Sequence, residues 1–448
     1  MNIDMMDTDV VTKLARIACD AAIANGAEYA DTSAGSGTNV AVDAELNAIK
    51  STDARKYGGI SVRAICRGGT GWSSSDILTK DGAAQAGKNA AELAKLSEPD
   101  PDFVSLPQPA ESYPDVEGLS DLRLAEIDVK QMITSVLENI DAALEVCDDA
   151  KVSGGFSGGY YTGALVNSLG VSAARGVSFV SGHILVVIRR DDDVGSAYDF
   201  DIARTLDDFD PAQIGTKAAE EALKLLGARK VATGRMAVVL GPLASDSVTA
   251  DVVSFTDAEG IQRGRSFMAG KLGQKIASEH LTLTDDSLIR GGARSRSFDS
   301  EGTPCKPVVV VENGVLKTYI HSSYTAGKAG VEPTGHGTRG GGAARSNVVP
   351  KLGQTTAADI IKGTRQGIYV SRGGLSPNMS TGDVSSSVDA GFMIENGEIT
   401  YPVKNAVLGG SFLDMLQNID AISSDYREEP GFIMPSLRIA SVQVASEG

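Results

Sequence analysis

The chain is poor in the residues that usually carry metal, redox or disulfide chemistry. Its 448 residues include only four cysteines, at 19, 66, 147 and 305, and four histidines, at 183, 280, 321 and 336. Scattered thiols with no C-x-x-C pair cannot staple a chain of this length, so they are expected reduced and mostly buried. No two histidines stand at i, i+4, and HExxH, HxxEH and HExxxH are all absent, which removes the usual ways for one helix face to grip zinc. Basic residues are in the minority, 41 against 58 acidic, for a formal net charge of −17. A surface of that sign repels phosphate backbones, and no basic cluster with interleaved aromatics breaks the pattern, so no direct nucleic-acid binding is expected. No apolar run approaches the roughly 20 residues needed to span a bilayer. The first residues, MNIDMMDTDVV, lack the basic flank and apolar stretch of a signal peptide. The expected location is therefore the cytoplasm, with no membrane partner.

What is present is a globular chain, 42% apolar and long enough for two cores. Residues 9–24 place Val10, Leu14, Ile17, Ala18 and Ala21 on one helical face, with Asp9 positioned to cap it. Strand-like alternation follows in TNVAVDAE and GGISVRAICRGG, then a small-residue helix near 82–96. The stretch 97–118 holds five of the fifteen prolines and reads as an extended crossing segment. A helix is expected from about 120 to 147, short strands in GYYTGALVNS and SFVSGHILVVIRR, and another helix near 211–226. From about 231 the pattern changes. Two E-N-G tripeptides, at 312–314 and 395–397, each separate two strand-like runs, and Asn-Gly supplies the two positive φ angles of a type I′ turn. Helical pattern is sparse there, limited to about 355–366 and 410–419. The expected fold class is α+β: an N-terminal mixed strand and helix domain over 1–229 and a C-terminal β-rich, largely antiparallel domain over 230–448.

Several motifs invite a chemical reading. GHGTRG at 335–340 matches G-x-G-x-x-G, but a proline precedes it where a strand should end and GGAARSNVVP follows, which no helix tolerates; a phosphate cradle needs both elements. A Walker A loop fails because Gly327-Lys328 is followed by Ala329. GFSGG at 155–159 matches the nucleophile elbow, with His183 downstream of Ser157, yet the flanks read as turn and strand, so a flexible glycine-serine hairpin is the better account. The acidic pairs Asp257/Glu259, Asp285/Asp286 and Asp299/Glu301 lie beside turn residues, where carboxylates cap helices or make Asx turns.

Read in order, SFMAGKLGQKIASEHLTLTDD, FDSEGTP, VENGVLKTYIHSSYTAGKAGVEPTGHG, STGDVSSSVDAGFMIENGEITYPV and AVLGGSFLDMLQNID resemble the C-terminal domain of the TldD/PmbA family, cytoplasmic metalloprotease-related proteins historically called modulators of DNA gyrase. The resemblance covers about 230–440, and YGGISVRAICRGGTGWSSSD near 57–76 is similar to the family's N-terminal domain. It makes GHGTRG a loop of the second domain, with Ser323, Tyr324, His336 and Arg339 as expected peptide-channel or loop residues, His336 and Arg339 lining or supporting a surface. In the catalytic TldD-type subunit a helix carries HExxxH, whose two histidines and a cysteine near the C-terminus hold zinc. Aligned from VVLGP, that helix falls on about 245–257, and Ala250, Asp251 and Phe255 occupy the ligand and base places. The last cysteine is Cys305. The resemblance therefore implies a TldE/PmbA-type subunit with no catalytic or metal residues of its own, no cofactor bound by this chain, and zinc only in a TldD-type partner.

The function so implied is a non-catalytic subunit that closes a chamber with a TldD partner around unfolded or small peptides. Two rivals remain open. One is a self-sufficient hydrolase using residues outside the family pattern, such as Ser157 with His183. The other is a homodimer that binds peptide without turnover.

Overall fold

A computed structural model describes residues 7–446. The first half is one antiparallel sheet of six strands, β1 (Tyr29–Glu45), β2 (Ala48–Cys66), β3 (Gly69–Ser75), β4 (Lys151–Asn167), β5 (Ser172–Arg190) and β6 (Asp193–Ala203), in the order β3-β2-β1-β4-β5-β6. Four helices, α1 (Thr8–Ala24), α2 (Lys80–Leu96), α3 (Val129–Val146) and α4 (Ile214–Lys224), complete it. Period-two alternation decides which side they cover. Even-numbered residues of β1 and β4 such as Ala34, Val42, Phe156 and Val166 are buried in the clusters that contain the helices. The odd-numbered face carries Asp31, Ser33, Gly35, Tyr161 and Gly163, and is left to meet the second half of the chain.

Alanine lets the helices sit close. Ala15, Ala18 and Ala22 of α1 pack with Ala83, Ala86, Ala90 and Ala94 of α2. At the crossing, a Cβ on Gly87 would stand 2.1 Å from the carbonyl oxygen of Ala18. The α1 cap is Asp7, whose carboxylate accepts the Asp9 N–H, so the helix starts two residues earlier than Asp9 capping would place it. The helix expected from 120 begins at Val129, because Asp128 is extended and caps it; a separate 3-10 turn fills Leu122–Glu126.

The strands expected to be short are long, up to 19 residues. Two-residue turns with both φ positive make this possible, at Leu46-Asn47 (51° and 69°) and Arg67-Gly68 (49° and 79°). The GFSGG stretch is likewise no hairpin: it lies inside β4, opposite β1 and β5. Its glycines mark close backbone approach, since a Cβ on Gly159 would sit 2.1 Å from the Thr38 carbonyl oxygen.

The proline-rich segment 97–118 contains no helix or strand and crosses between the halves. Its Tyr113 donates to the Gly302 carbonyl at 3.1 Å and packs at a tilt against Phe298, ring centroids 5.3 Å apart. The second half is β-rich as expected. A large sheet is built around Gly234–Leu240, Gln366–Arg372 and Phe432–Ser446, and a four-stranded one around Leu283–Asp286. Both E-N-G turns close hairpins, with φ of 47° and 80° at Asn313-Gly314 and 53° and 84° at Asn396-Gly397. Pairing is antiparallel except where Gly234–Leu240 meets Gln366–Arg372 and where Arg229–Lys230 meets Glu398–Lys404. Helix α5 (Pro242–Ser254) leaves Gly234–Leu240 with proline in its first turn and is buried between the two sheets, Val248, Val252 and Val253 being fully enclosed. No helix among the described residues is long and apolar enough to cross a membrane.

Gly87→Ala tests the helix crossing. The added methyl forces α1 and α2 apart, and chemical denaturation should show a loss of about 1–3 kcal/mol, against little change for Gly234→Ala, where nothing stands within 4 Å and φ is not positive.

Candidate functional site

The place where the family resemblance puts a zinc motif is α5. Ala250 is buried, and Phe255, just past the helix, packs edge-on against Phe267 and Phe412 with centroids 5.2 and 6.3 Å away. Asp251 is the one acidic group among the three. Burial pushes its carboxyl up to about 6, opposed by the nearby Arg345 guanidinium and aided by Asp246. Asp246 is raised by burial too, with Arg345 and Arg294 opposing. Two carboxyls facing guanidinium groups, with no imidazole or thiol beside them, do not fit a zinc ion that wants nitrogen, sulfur and oxygen donors in a tetrahedron. Among the described residues no group of three or more His, Cys, Asp or Glu could hold a metal.

The GHGTRG loop does something else. It is a tight turn, closed by the Thr338 N–H donating to the Gly342 carbonyl at 2.8 Å, and it leads into the strand Asn347–Pro350, with no helix to receive a phosphate. His336 points inward. Its Nδ1 is 2.9 Å from the Thr334 carbonyl oxygen and its Nε2 is 3.1 Å from Asp285 Oδ1, with both side chains fully enclosed. Asp285 also accepts the Ser346 N–H at 2.8 Å and the Ser346 hydroxyl. His336 thus supports the loop from beneath.

Arg339 reaches the other way, onto the odd-numbered face of the first sheet. Its Nε donates to Asp31 Oδ1, and one terminal nitrogen donates to the Asp31 and Ser61 carbonyls, each at 3.0 Å. The second oxygen of Asp31 accepts from Arg63 Nε at 2.6 Å, and Arg63 in turn donates to the Arg339 carbonyl at 2.8 Å. Trp72 on β3 lies under both guanidinium groups, 5.0 Å from Arg339 and 5.6 Å from Arg63. One carboxylate, two guanidinium groups and one indole therefore clasp the two halves together.

Behind the clasp sits Glu301. Its Oε2 accepts the Ser323 N–H at 2.8 Å, while Oε1 has no hydrogen bond and is 3.7 Å from an Arg63 nitrogen. Burial pushes this carboxyl up to about 7 even though Arg63 pulls it down. Asp299 is spent on backbone: its oxygens accept from the N–H groups of Glu301, Thr303 and Gly337. Asp257 caps a short helix and Asp286 makes an Asx turn to Leu288, as their neighbours suggested. Two cavities flank Arg339. One of about 320 Å³ is lined by Ser33, Tyr161, Arg175, Phe298, Ser300 and Arg339. The other, about 140 Å³, is lined by Trp72, Phe103, Arg263 and Tyr324 with the two clasp arginines. Of the residues picked out by sequence, Ser323, Tyr324 and Arg339 come together here. Ala250, Asp251 and Phe255 lie elsewhere, on and just after α5.

The elbow at Ser157 is absent as a structure. The serine is mid-strand, its Oγ is 3.1 Å from Ser181 Oγ, and His183 is an exposed residue opposite Gly155. Asp31, Arg63, Trp72 and Arg175 were not found from sequence, and Glu301 was read only as one of a turn-side acidic pair. For Asp31 the one legible signal was polar or small residues at alternate positions of β1, where an apolar strand would be buried on both faces.

Three profiles of the PmbA/TldA metallopeptidase match this chain: domain 1 over residues 30–94, the central domain over 122–226 and the C-terminal domain over 233–446. The chain belongs to the TldD/PmbA family. A metalloprotease of Methanocaldococcus jannaschii is 35% identical over 229 residues, a match spanning 49% of this chain and 50% of that protein. The chain thus spans about half the length of this relative, whereas the PmbA metalloprotease homologue of Haemophilus influenzae matches over 91% of this chain and 90% of its own, at 26% identity. TldE of Thermococcus kodakarensis shares the fold, with a TM-score of 0.87 at 24% identity over 98% of this chain and all of that one. Membership of a metallopeptidase family and the absence of HExxxH stand together in this chain.

The clasp yields two expectations. Asp31→Ala leaves two buried guanidinium groups without their carboxylate and should cost about 3–5 kcal/mol in chemical denaturation. Glu301→Gln keeps an acceptor for Ser323 and removes a titration. The folded carboxyl holds its proton to about 7 against 4.5 for the ordinary group, so the folded state binds more protons in that window. Stability is then fullest below about 4.5 and falls as pH rises through 7. The stability difference between wild type and Glu301→Gln, measured at pH 4.5 and 7.5, should shift by about 3 kcal/mol in favour of the variant at the higher pH.

Proposed function

We propose that this chain is the non-catalytic, TldE-type subunit of a TldD/TldE-type metalloprotease acting on unfolded or small peptides in the cytoplasm. The observation that carries this reading is α5. The helix that bears the zinc motif in TldD-type subunits here presents Ala250 and Asp251, and Phe255 follows it inside an aromatic cluster. A zinc-bound hydroxide needs ligands that those side chains do not supply. The chain nonetheless shares the fold of its TldE neighbour. In this reading zinc belongs to a TldD-type partner, and this chain contributes wall and grip: an extended sheet face, a glycine-rich loop and cavities at the junction of its two halves suit the holding of an extended peptide. The formal charge of −17 speaks against nucleic acid as the direct ligand.

The test is zinc content by elemental analysis together with cleavage of an unfolded casein-like substrate, each with and without a TldD-type subunit. No stoichiometric zinc and no cleavage alone, with activity only in the mixture, is the expected result. Stoichiometric zinc with chelator-sensitive cleavage from this chain alone would overturn the proposal, and chelator-resistant cleavage would favour the self-sufficient hydrolase. Tight peptide binding with no turnover even beside the partner would favour a binding protein.

A further inference from the structure

The larger cavity beside Arg339 contains a cation that the protein itself does not neutralise. Arg175, on β5 opposite Gly163, donates to the Phe298 carbonyl at 3.1 Å and lies over the Phe298 ring at 4.9 Å. It makes no ion pair among the described residues. The carboxylate in the same lining, Asp299, is already tied to three backbone N–H groups. Arg296 adds a like charge nearby. Arg339, by contrast, is committed to Asp31. A sheltered guanidinium held by one carbonyl and one ring, with no carboxylate partner, keeps donors for an anion.

Its surroundings look toward a ligand. The hydroxyls of Ser33, Tyr161 and Ser300 line the same space and form no hydrogen bond with any described residue. The Tyr161 ring lies flat on the sheet because Gly35 and Gly163 leave room: a Cβ on either would stand 2.1 or 2.6 Å from a Tyr161 atom. The Phe298 and Tyr161 rings and Leu165 supply apolar contact. A volume of about 320 Å³ suits one or two amino-acid residues, not a folded chain.

We propose that this cavity is a carboxylate-recognition subsite, in which Arg175 pairs with a peptide carboxylate and Tyr161, Ser33 and Ser300 donate to its oxygens. A guanidinium matches a carboxylate as a fork with two parallel N–H donors, and neutral hydroxyls complete the oxygens' remaining acceptor sites. The carboxylate belongs to the C-terminus of a peptide or to an acidic side chain; the chemistry recognised is the same. The inference rests on the peptide-handling reading above for the nature of the ligand, and it names the part of the peptide that is gripped.

The experiment uses this chain alone, with no partner, and reads fluorescence anisotropy of a labelled unstructured hexapeptide of Ala, Ser and Leu. Three forms are compared: free C-terminal acid, C-terminal amide, and the amide with Glu as its last residue. Wild type should bind the free acid about ten-fold or more tighter than the plain amide. The Glu-amide form separates the sources: binding like the acid means that any peptide carboxylate serves, and binding like the plain amide means that the terminus is read. Arg175→Met, which keeps bulk and removes charge, should abolish the difference between acid and amide. Tyr161→Phe should reduce it several-fold and carries the test should Arg175→Met fold poorly. Equal binding of acid and amide, no binding of either, or discrimination surviving in both variants would overturn the subsite. Partner-dependent cleavage is read separately, so loss of the subsite and loss of the subunit assignment give different results.

Discussion

Asp31 is the residue on which the assembly of the two halves turns. Its two carboxylate oxygens face two different guanidinium groups, Arg63 from the neighbouring strand and Arg339 from a loop 308 residues away. A buried carboxylate between two buried cations is favourable only when hydrogen bonds are complete on all sides, and here they nearly are. Arg63 and Arg339 each place a further donor nitrogen on carbonyl oxygens, and Trp72 closes the stack. The exception is Glu301 Oε1, left without a hydrogen bond behind Arg63. That gap is why burial wins over the Arg63 charge and the carboxyl stays protonated to a high pH.

The two faces of the sheet that bears Asp31 differ in chemistry. One face is packed by four helices through alanine and small aliphatic side chains, which needs close approach and tolerates no added methyl at Gly87. The other face keeps glycine, serine, tyrosine and charge. Glycine there is not looseness: at Gly35 and Gly163 it makes space for a tyrosine ring, and at Gly159 for a neighbouring strand.

Much of the fold was legible in the chain. The helical periods near 9–24, 82–96 and 211–226 and both Asn-Gly hairpins are where local signals placed them, because capping, periodicity and turn chemistry act over a few residues. Strand length was not legible. The GFSGG run has the composition of a hairpin, and only its neighbours on β1 and β5 keep it extended. The Leu46-Asn47 and Arg67-Gly68 turns lack the Asn-Gly signature and so went unread. The start of α3 moved to Val129 because one aspartate outcompeted a good helical pattern.

The site divides the same way. By itself the sequence determined that no zinc-binding helix motif exists, that GHGTRG is no phosphate cradle, and that the chain resembles a known family; each follows from residue type at fixed spacing. Tertiary structure alone decided that His336 faces Asp285 in the interior, that Arg339 spans to Asp31, and that Arg175 is left beside a cavity without a carboxylate. Those pairings join residues up to 308 positions apart. No local propensity encodes which charge meets which across that distance, because the choice is made by how two folded sheets stack and what water they exclude.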